Sequence, residues 1–193
     1  MKKFIFTLIS FVHLSLFGQF EGVFTMNTIN NETNEKSKIS WYAAKTAHRM
    51  DIETTTEYGM MNMTLFFVQQ GSTVKIISQG QTIELPVSSL QPVSSVKDFF
   101  MAQPTGKSEN IAGYDCKEYK LIASNGTVIC MVAENMRISN FPTAGIFQTL
   151  QIQGINGLPL KIKVADLKGN QIYSQEITSI TEQNISNDLF DIR

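Results

Sequence analysis

Chemically active side chains are few in this chain, so their spacing decides what chemistry is open to it. Two cysteines, Cys116 and Cys130, could join in a disulfide, or one could attack a substrate if a base stood beside it. That base would have to be His48, because the other histidine, His13, sits in an N-terminal apolar run. Nothing in the sequence brings His48 to either thiol. A second group is Met60, Met61 and Met63, with Met50 nearby. Closely spaced thioethers suit Cu(I), but no histidine or cysteine accompanies them. Adaptable filling of apolar space accounts for them with less, so copper binding is kept as the lesser alternative. Asp51 and Glu53 alternate beside Arg49, which describes a solvated strand face better than a general acid and base. No phosphate loop, nucleophile elbow, metal-spaced histidine pair or paired-carboxylate motif is present. The expectation is a protein that is not an enzyme, with no cofactor and no metal site.

The cysteines flank Asn125-Gly126, a dipeptide suited to a two-residue hairpin turn. On that register Ser124 pairs with Thr127 and Cys130 falls opposite Leu121, five positions from Cys116. At about 3.4 Å per residue the gap is roughly 17 Å, against a Cα separation of about 4.4–6.8 Å in a disulfide. The alternation breaks between Cys116 and Tyr119, which places a bulge near Lys117-Glu118. One extra residue still leaves the thiols too far apart, so two buried free thiols are expected.

Around this hairpin the chain reads as strands. Phe20 to Ile29 alternates, Lys38 to Tyr42 places Ile39 and Trp41 on one face, and Ala47 to Thr54 sets His48, Met50 and Ile52 against Arg49, Asp51 and Glu53. Met63 to Val68 is apolar apart from Thr64, as in a strand covered on both faces. Short strands follow at Val74 to Ile77 and at Ile83 to Leu85, the latter ending at Pro86. Val96, Phe99 and Phe100 then fall at helical spacing before Pro104, and Phe147 and Leu150 do so after Pro142. Two short helices are therefore predicted, one near 95–103 and one over Phe141–Leu150. Lys107 to Ile122, Thr127 to Ala133, Leu160 to Val164 and Gln171 to Thr181 return to strands, and Leu189–Ile192 would close the sheet. The sum is roughly nine or ten strands, mainly β (α+β), in an antiparallel sheet with two inserted helices.

The 193 residues, 42% hydrophobic and 17% charged, suit one domain. Lys2 and Lys3 precede an apolar run, Phe4 to Phe17, that is short for a membrane span. Residues 1–19 therefore read as a signal peptide cut near Gly18/Gln19, leaving 20–193 as a single domain that is periplasmic or secreted and not membrane-spanning. The chain has 16 basic and 17 acidic residues. Losing Lys2 and Lys3 tips the remainder acidic, which argues against nucleic acid as a partner.

Three pieces of sequence carry a family resemblance: the leader followed by Phe20-Glu21-Gly22, the run Ile111-Ala-Gly-Tyr-Asp-Cys-Lys-Glu-Tyr119, and Gly157-Leu-Pro-Leu160 leading to Leu189-Phe-Asp-Ile192. Together they resemble the exported Bacteroidetes proteins grouped as DUF4412, a domain of unknown function. That family in turn looks like a relative of the LolA/LolB-like lipoprotein carrier fold. The resemblance implies a curved antiparallel sheet or half-barrel with two short helices packed on its concave face around an apolar cavity. It also makes Arg49 the nearest match to an arginine that holds the cavity lid.

The leading expectation is a periplasmic, non-enzymatic binding protein that holds a lipid or lipoprotein acyl chain, or another apolar moiety. Its cavity would be lined by Trp41, Met50, Phe66, Phe99, Phe100 and Phe147. The alternative is an envelope protein–protein interaction module with a solid core.

Overall fold

A computed structural model describes residues 20–68, 73–86, 99–138, 155 and 157–191. The expected signal peptide, 1–19, and the second expected helix, Phe141–Leu150, lie outside the described residues. The described strands are β1 Gly22–Asn30, β2 Glu35–Ala43, β3 His48–Thr56, β4 Gly59–Val68, β5 Thr73–Ser78, β6 Gln81–Pro86, β7 Phe99–Ile111, β8 Tyr114–Ala123, β9 Gly126–Ala133, β10 Leu158–Asp166 and β11 Gln171–Glu182. They form one curved, 11-stranded sheet in the order β6-β5-β4-β3-β2-β1-β11-β10-β9-β8-β7. Two meanders thus run outward from the middle, where the first strand pairs antiparallel with the last.

Three local expectations are corrected. Phe99 and Phe100, read as part of a helix, begin β7, which pairs with β8 through Phe99↔Ala123 and Met101↔Ile122. Val96 lies outside the described residues; the helical spacing of Phe99 and Phe100 yields to a long strand pairing, and Pro104, read as a helix stop, sits on an edge strand where its missing N–H costs no ladder bond. The tail does not close the sheet: Asn187–Phe190 is a 3-10 turn, with Ser186 Oγ accepting from the Asp188 N–H. The run from Lys107 to Ile122 is two strands, turning at Ala112 (φ 50°) and Gly113 (φ 89°).

The central hairpin also departs from its expected register. Ala123 pairs with Gly126, so Ser124 and Asn125 form the turn and Cys130 faces Tyr119. The β8–β9 ladder runs unbroken from Lys117 to Ala123. The irregularity lies instead on β7, between Pro104 and Ser108, where Thr105, Gly106 and Lys107 bulge opposite Glu118. Thr105 Oγ1 fastens the bulge to the Glu118 carboxylate at 2.8 Å.

Directly paired residues share a face of a sheet, and on one face these pairs join into apolar rows. One row is Phe24, Trp41, Met50, Leu65, Ile76 and Ile83, crossing from β1 to β6. Its neighbour is Ala43, His48, Phe67, Val74 and Leu85. On the other half of the same face Tyr173, Val164, Val128, Leu121 and Ala102 line up. The opposite face carries the polar row Lys161, Glu176, Asn27, Lys38, Glu53 and Asn62, with Lys161 bridging Glu176 at 3.6 Å and Glu109 at 3.1 Å.

The apolar face is anchored near its middle. Trp41 is fully buried, stacks on Phe24 with ring centroids 4.7 Å apart, and donates its Nε1–H to Nδ1 of buried His48 at 3.4 Å. Replacing Trp41 by Ala would empty the largest buried side chain and leave His48 without that donor. A loss of about 3–5 kcal/mol is expected, a large share of a typical domain's ~5–15 kcal/mol. Denaturant unfolding followed by circular dichroism measures it, and a loss below about 1 kcal/mol would contradict this packing.

Candidate functional site: a graded apolar face

The apolar rows become less covered toward β6. Phe24 and Trp41 are fully buried, Met50, Leu65 and Ile76 are half-buried, and Ile83 is 53% exposed. The next row stays buried through His48, Phe67 and Val74, and is half-buried at Leu85. Phe67 and Val74 form a small cluster against which Met50, Leu65, Ile76 and Leu85 pack. The geometry therefore offers an apolar surface across β3–β6, continuous at its inner end with the main core around Phe24 and Trp41. His48 is the buried polar side chain at that inner end. Its Nδ1 accepts from Trp41 Nε1.

Of the residues expected to line one space, the structure brings together Trp41 and Met50, which are direct cross-strand partners. Phe66 is buried but on the other face, opposite Arg49. Its place is taken by Phe67, one residue on. Phe99 and Phe100 belong to β7, at the far edge of the sheet from β6, and Phe147 lies outside the described residues. Leu65, Phe67, Ile76 and Leu85 were missed. A run without polar residues hides its own phase, but the His48-Met50-Ile52 alternation, carried through a tight β3–β4 turn, selects Leu65 and Phe67. Of the methionines, Met50, Met61 and Met63 share the apolar face, through Met50↔Leu65, Ile52↔Met63 and Thr54↔Met61, while Met60 alternates to the other; Met60 and Met61 are exposed.

Arg49 contacts the 3-10 turn near the chain's end. Its Nη1 donates to the Leu189 carbonyl of the 3-10 turn at 3.2 Å, and its Nε pairs with Asp51 at 2.9 Å. The guanidinium lies over the Phe66 and Tyr42 rings at 5.3 and 5.8 Å. This assembly is on the face opposite Trp41 and Met50, so Arg49 fixes the tail and does not border the apolar rows. Replacing Arg49 by Met keeps length and removes the donors. A loss of about 1–2 kcal/mol is expected, with faster carboxypeptidase trimming of the tail. Unchanged trimming would show that other contacts hold it.

Both cysteines are buried and free. Cys116 is an odd number of residues from Tyr119, the partner of Cys130, so the thiols project to opposite faces. Burial pushes Cys130 up to about 12. Burial and then the Glu109 carboxylate push Cys116 up to about 11. Neither is an activated nucleophile. An unfolded thiol titrates near about 8.5, so above that pH the unfolded chain releases protons that the folded chain retains. The thiols' stabilisation is thus fully present below the unfolded value and lost as pH rises through about 11 to 12. Thiol reagent at pH 8 should label the native chain negligibly and both cysteines after denaturation. Denaturation midpoints should fall steadily above pH 9, and rapid native labelling would refute the burial.

The hydroxyl of Tyr119, Cys130's cross-strand partner, donates to Glu134 Oε1, while Lys117 pairs with Glu134 Oε2 at 2.6 Å. This tie, between β8 and the residue after β9, is structural. Open grooves of about 390 and 300 Å³ lie along the polar face, lined in part by Lys161, Glu176, Lys38 and Glu53. Among the described residues no group of three or more His, Cys, Asp or Glu could hold a metal ion, and no helix is long and apolar enough to cross a membrane.

The fold is similar to that in the complex structure of Pseudomonas aeruginosa MucA/MucB, at 13% identity and a TM-score of 0.56, over 91% of this chain and 56% of that one. Crystal structures of MucB alone and of MucB with MucA(peri) match at 11% and 12% identity, with TM-scores of 0.49 and 0.47, over 91% and 89% of this chain and 58% and 54% of theirs. This chain thus spans little more than half the length of those it resembles. No curated protein matches its sequence. The sequence profile described as Domain of unknown function (DUF4412) matches residues 20–192.

Proposed function

This chain belongs to the DUF4412 family, and from that premise we propose that it is an exported, non-enzymatic binding protein that holds an apolar moiety, such as an acyl chain, against the β3–β6 face. The observation that carries this reading is the gradient along Trp41, Met50, Leu65, Ile76 and Ile83, from full burial to 53% exposure of Ile83. A solid core ends in a polar rim, whereas this row carries large aliphatic side chains out to the sheet edge. A flexible hydrocarbon is suited to such a surface, because its affinity grows with buried apolar area and needs no fixed polar partner. The LolA-like character of the fold supports the same reading.

A second reading, an envelope protein partner, draws on one comparison. MucB is solved in complex with MucA, and that complex shares this fold. A partner segment with apolar side chains would use the same β3–β6 face as an acyl chain.

Purified chain lacking residues 1–19 should yield co-purified lipid on organic extraction and should bind an acyl-chain fluorophore. Leu65→Gln and Ile76→Gln, both at half-buried positions, should each weaken that binding about tenfold or more while leaving the far-ultraviolet spectrum unchanged. An extract free of lipid, together with no fluorophore binding, would remove the lipid reading and leave the protein-partner one.

A further inference from the structure

The sheet does not close, and its two described edges differ. The β7 edge is obstructed by Pro104, by the Thr105–Lys107 bulge with Gly106 at φ 81°, and by the charges of Lys107 and Glu109, all devices that prevent strand addition. The β6 edge has no bulge, and its side chains from Gln81 to Glu84 are exposed. We propose that β6 is a self-pairing edge, through which two copies of this chain join antiparallel about a two-fold axis at Ile83.

The register follows from the β5–β6 hairpin. Ser78 pairs with Gln81 around Gln79 (φ 50°) and Gly80 (φ 76°), a two-residue turn whose flanking pair is hydrogen-bonded. Alternation then turns the N–H and C=O of Thr82 and Glu84 outward, together with the side of Pro86 that lacks an N–H. A two-fold axis perpendicular to the sheet keeps the apolar faces of both copies on the same side, so only residues of one parity can meet. Centring on Glu84 would oppose two carboxylates and set Pro86 against Thr82, losing donors. Centring on Ile83 pairs Thr82 with the copy's Glu84, and Glu84 with the copy's Thr82, each pair exchanging both backbone bonds. It also covers the exposed Ile83 with its own copy. The apolar row from Phe24 to Ile83 then runs unbroken into the second molecule. A six-residue strand buries well under the ~1,200 Å² of a stable interface, so the dimer is weak and reversible.

In an antiparallel non-hydrogen-bonded pair the Cα atoms stand about 4.5 Å apart, within disulfide range. Ile83→Cys should therefore cross-link into a covalent dimer under mild oxidation. Glu84→Cys should not, and the native thiols, being buried, supply no background. Sedimentation of the unmodified chain should show a monomer–dimer equilibrium as concentration rises past about 100 µM. Thr82→Pro, which removes an outward N–H that the β5–β6 ladder does not use, should weaken it about tenfold or more at unchanged melting temperature. Preferential cross-linking of Glu84→Cys, or a pure monomer across this range with no Ile83→Cys dimer, would overturn the proposal. The presence or absence of bound lipid does not enter either readout.

Discussion

The constraint on which the rest of this structure depends is phase. A sheet residue faces one side or the other, and a slip of one position sends every following apolar side chain to the wrong face. With eleven strands in one sheet, every turn and every bulge must return the chain with the correct parity. The middle pairing shows how this is met. Ile177 and Ile180 are an odd number of residues apart, which in a regular strand would set them on opposite faces. The register shift between Thr25 and Met26 inserts an extra residue on β11, so that Met26 meets Ile177 and Phe24 meets Ile180. Both isoleucines then join the core cluster that contains Phe24, Met26 and Trp41.

The same logic separates what could be read in the sequence from what could not. The antiparallel, mainly β architecture was legible because His48 to Glu53 and Leu160 to Val164 alternate cleanly, and because Lys168-Gly169-Asn170 lies between two strand patterns. The inward faces of Trp41 and Met50 were legible for that reason. Phe66 was misplaced because Met63 to Val68 is apolar on both faces and carries no phase of its own. The hairpin register was off by one position on each strand, since Asn125-Gly126 is a sound turn dipeptide but Ala123↔Gly126 pairing moves the turn back by one. The expected helix at Phe99 rested on three apolar spacings, a weak local signal that gives way to the β7–β8 ladder. Arg49, singled out by position, contacts the Leu189 carbonyl on the face away from the apolar rows.

The two faces divide the work. On one, a stacked Trp41 and Phe24 beside buried His48 give a fixed inner end, from which aliphatic rows extend toward β6. On the other, charged rows and the Arg49–Leu189 contact hold the strands and the tail, with Phe66 buried beneath Arg49. A sheet arranged in this way can lose apolar cover on one side while its polar side keeps the strands in register, and the proposed binding surface needs that property.

The placement of the two thiols bears on the covalent identity of the chain. Cys116 and Cys130 project to opposite faces of a continuous β8–β9 ladder and are each buried, so the folded chain has no geometry in which they can meet. The single intramolecular disulfide that two cysteines allow is therefore confined to unfolded molecules, and folding selects reduced chains. In the folded chain the spacing of the two thiols, and not the redox potential around it, keeps them unpaired.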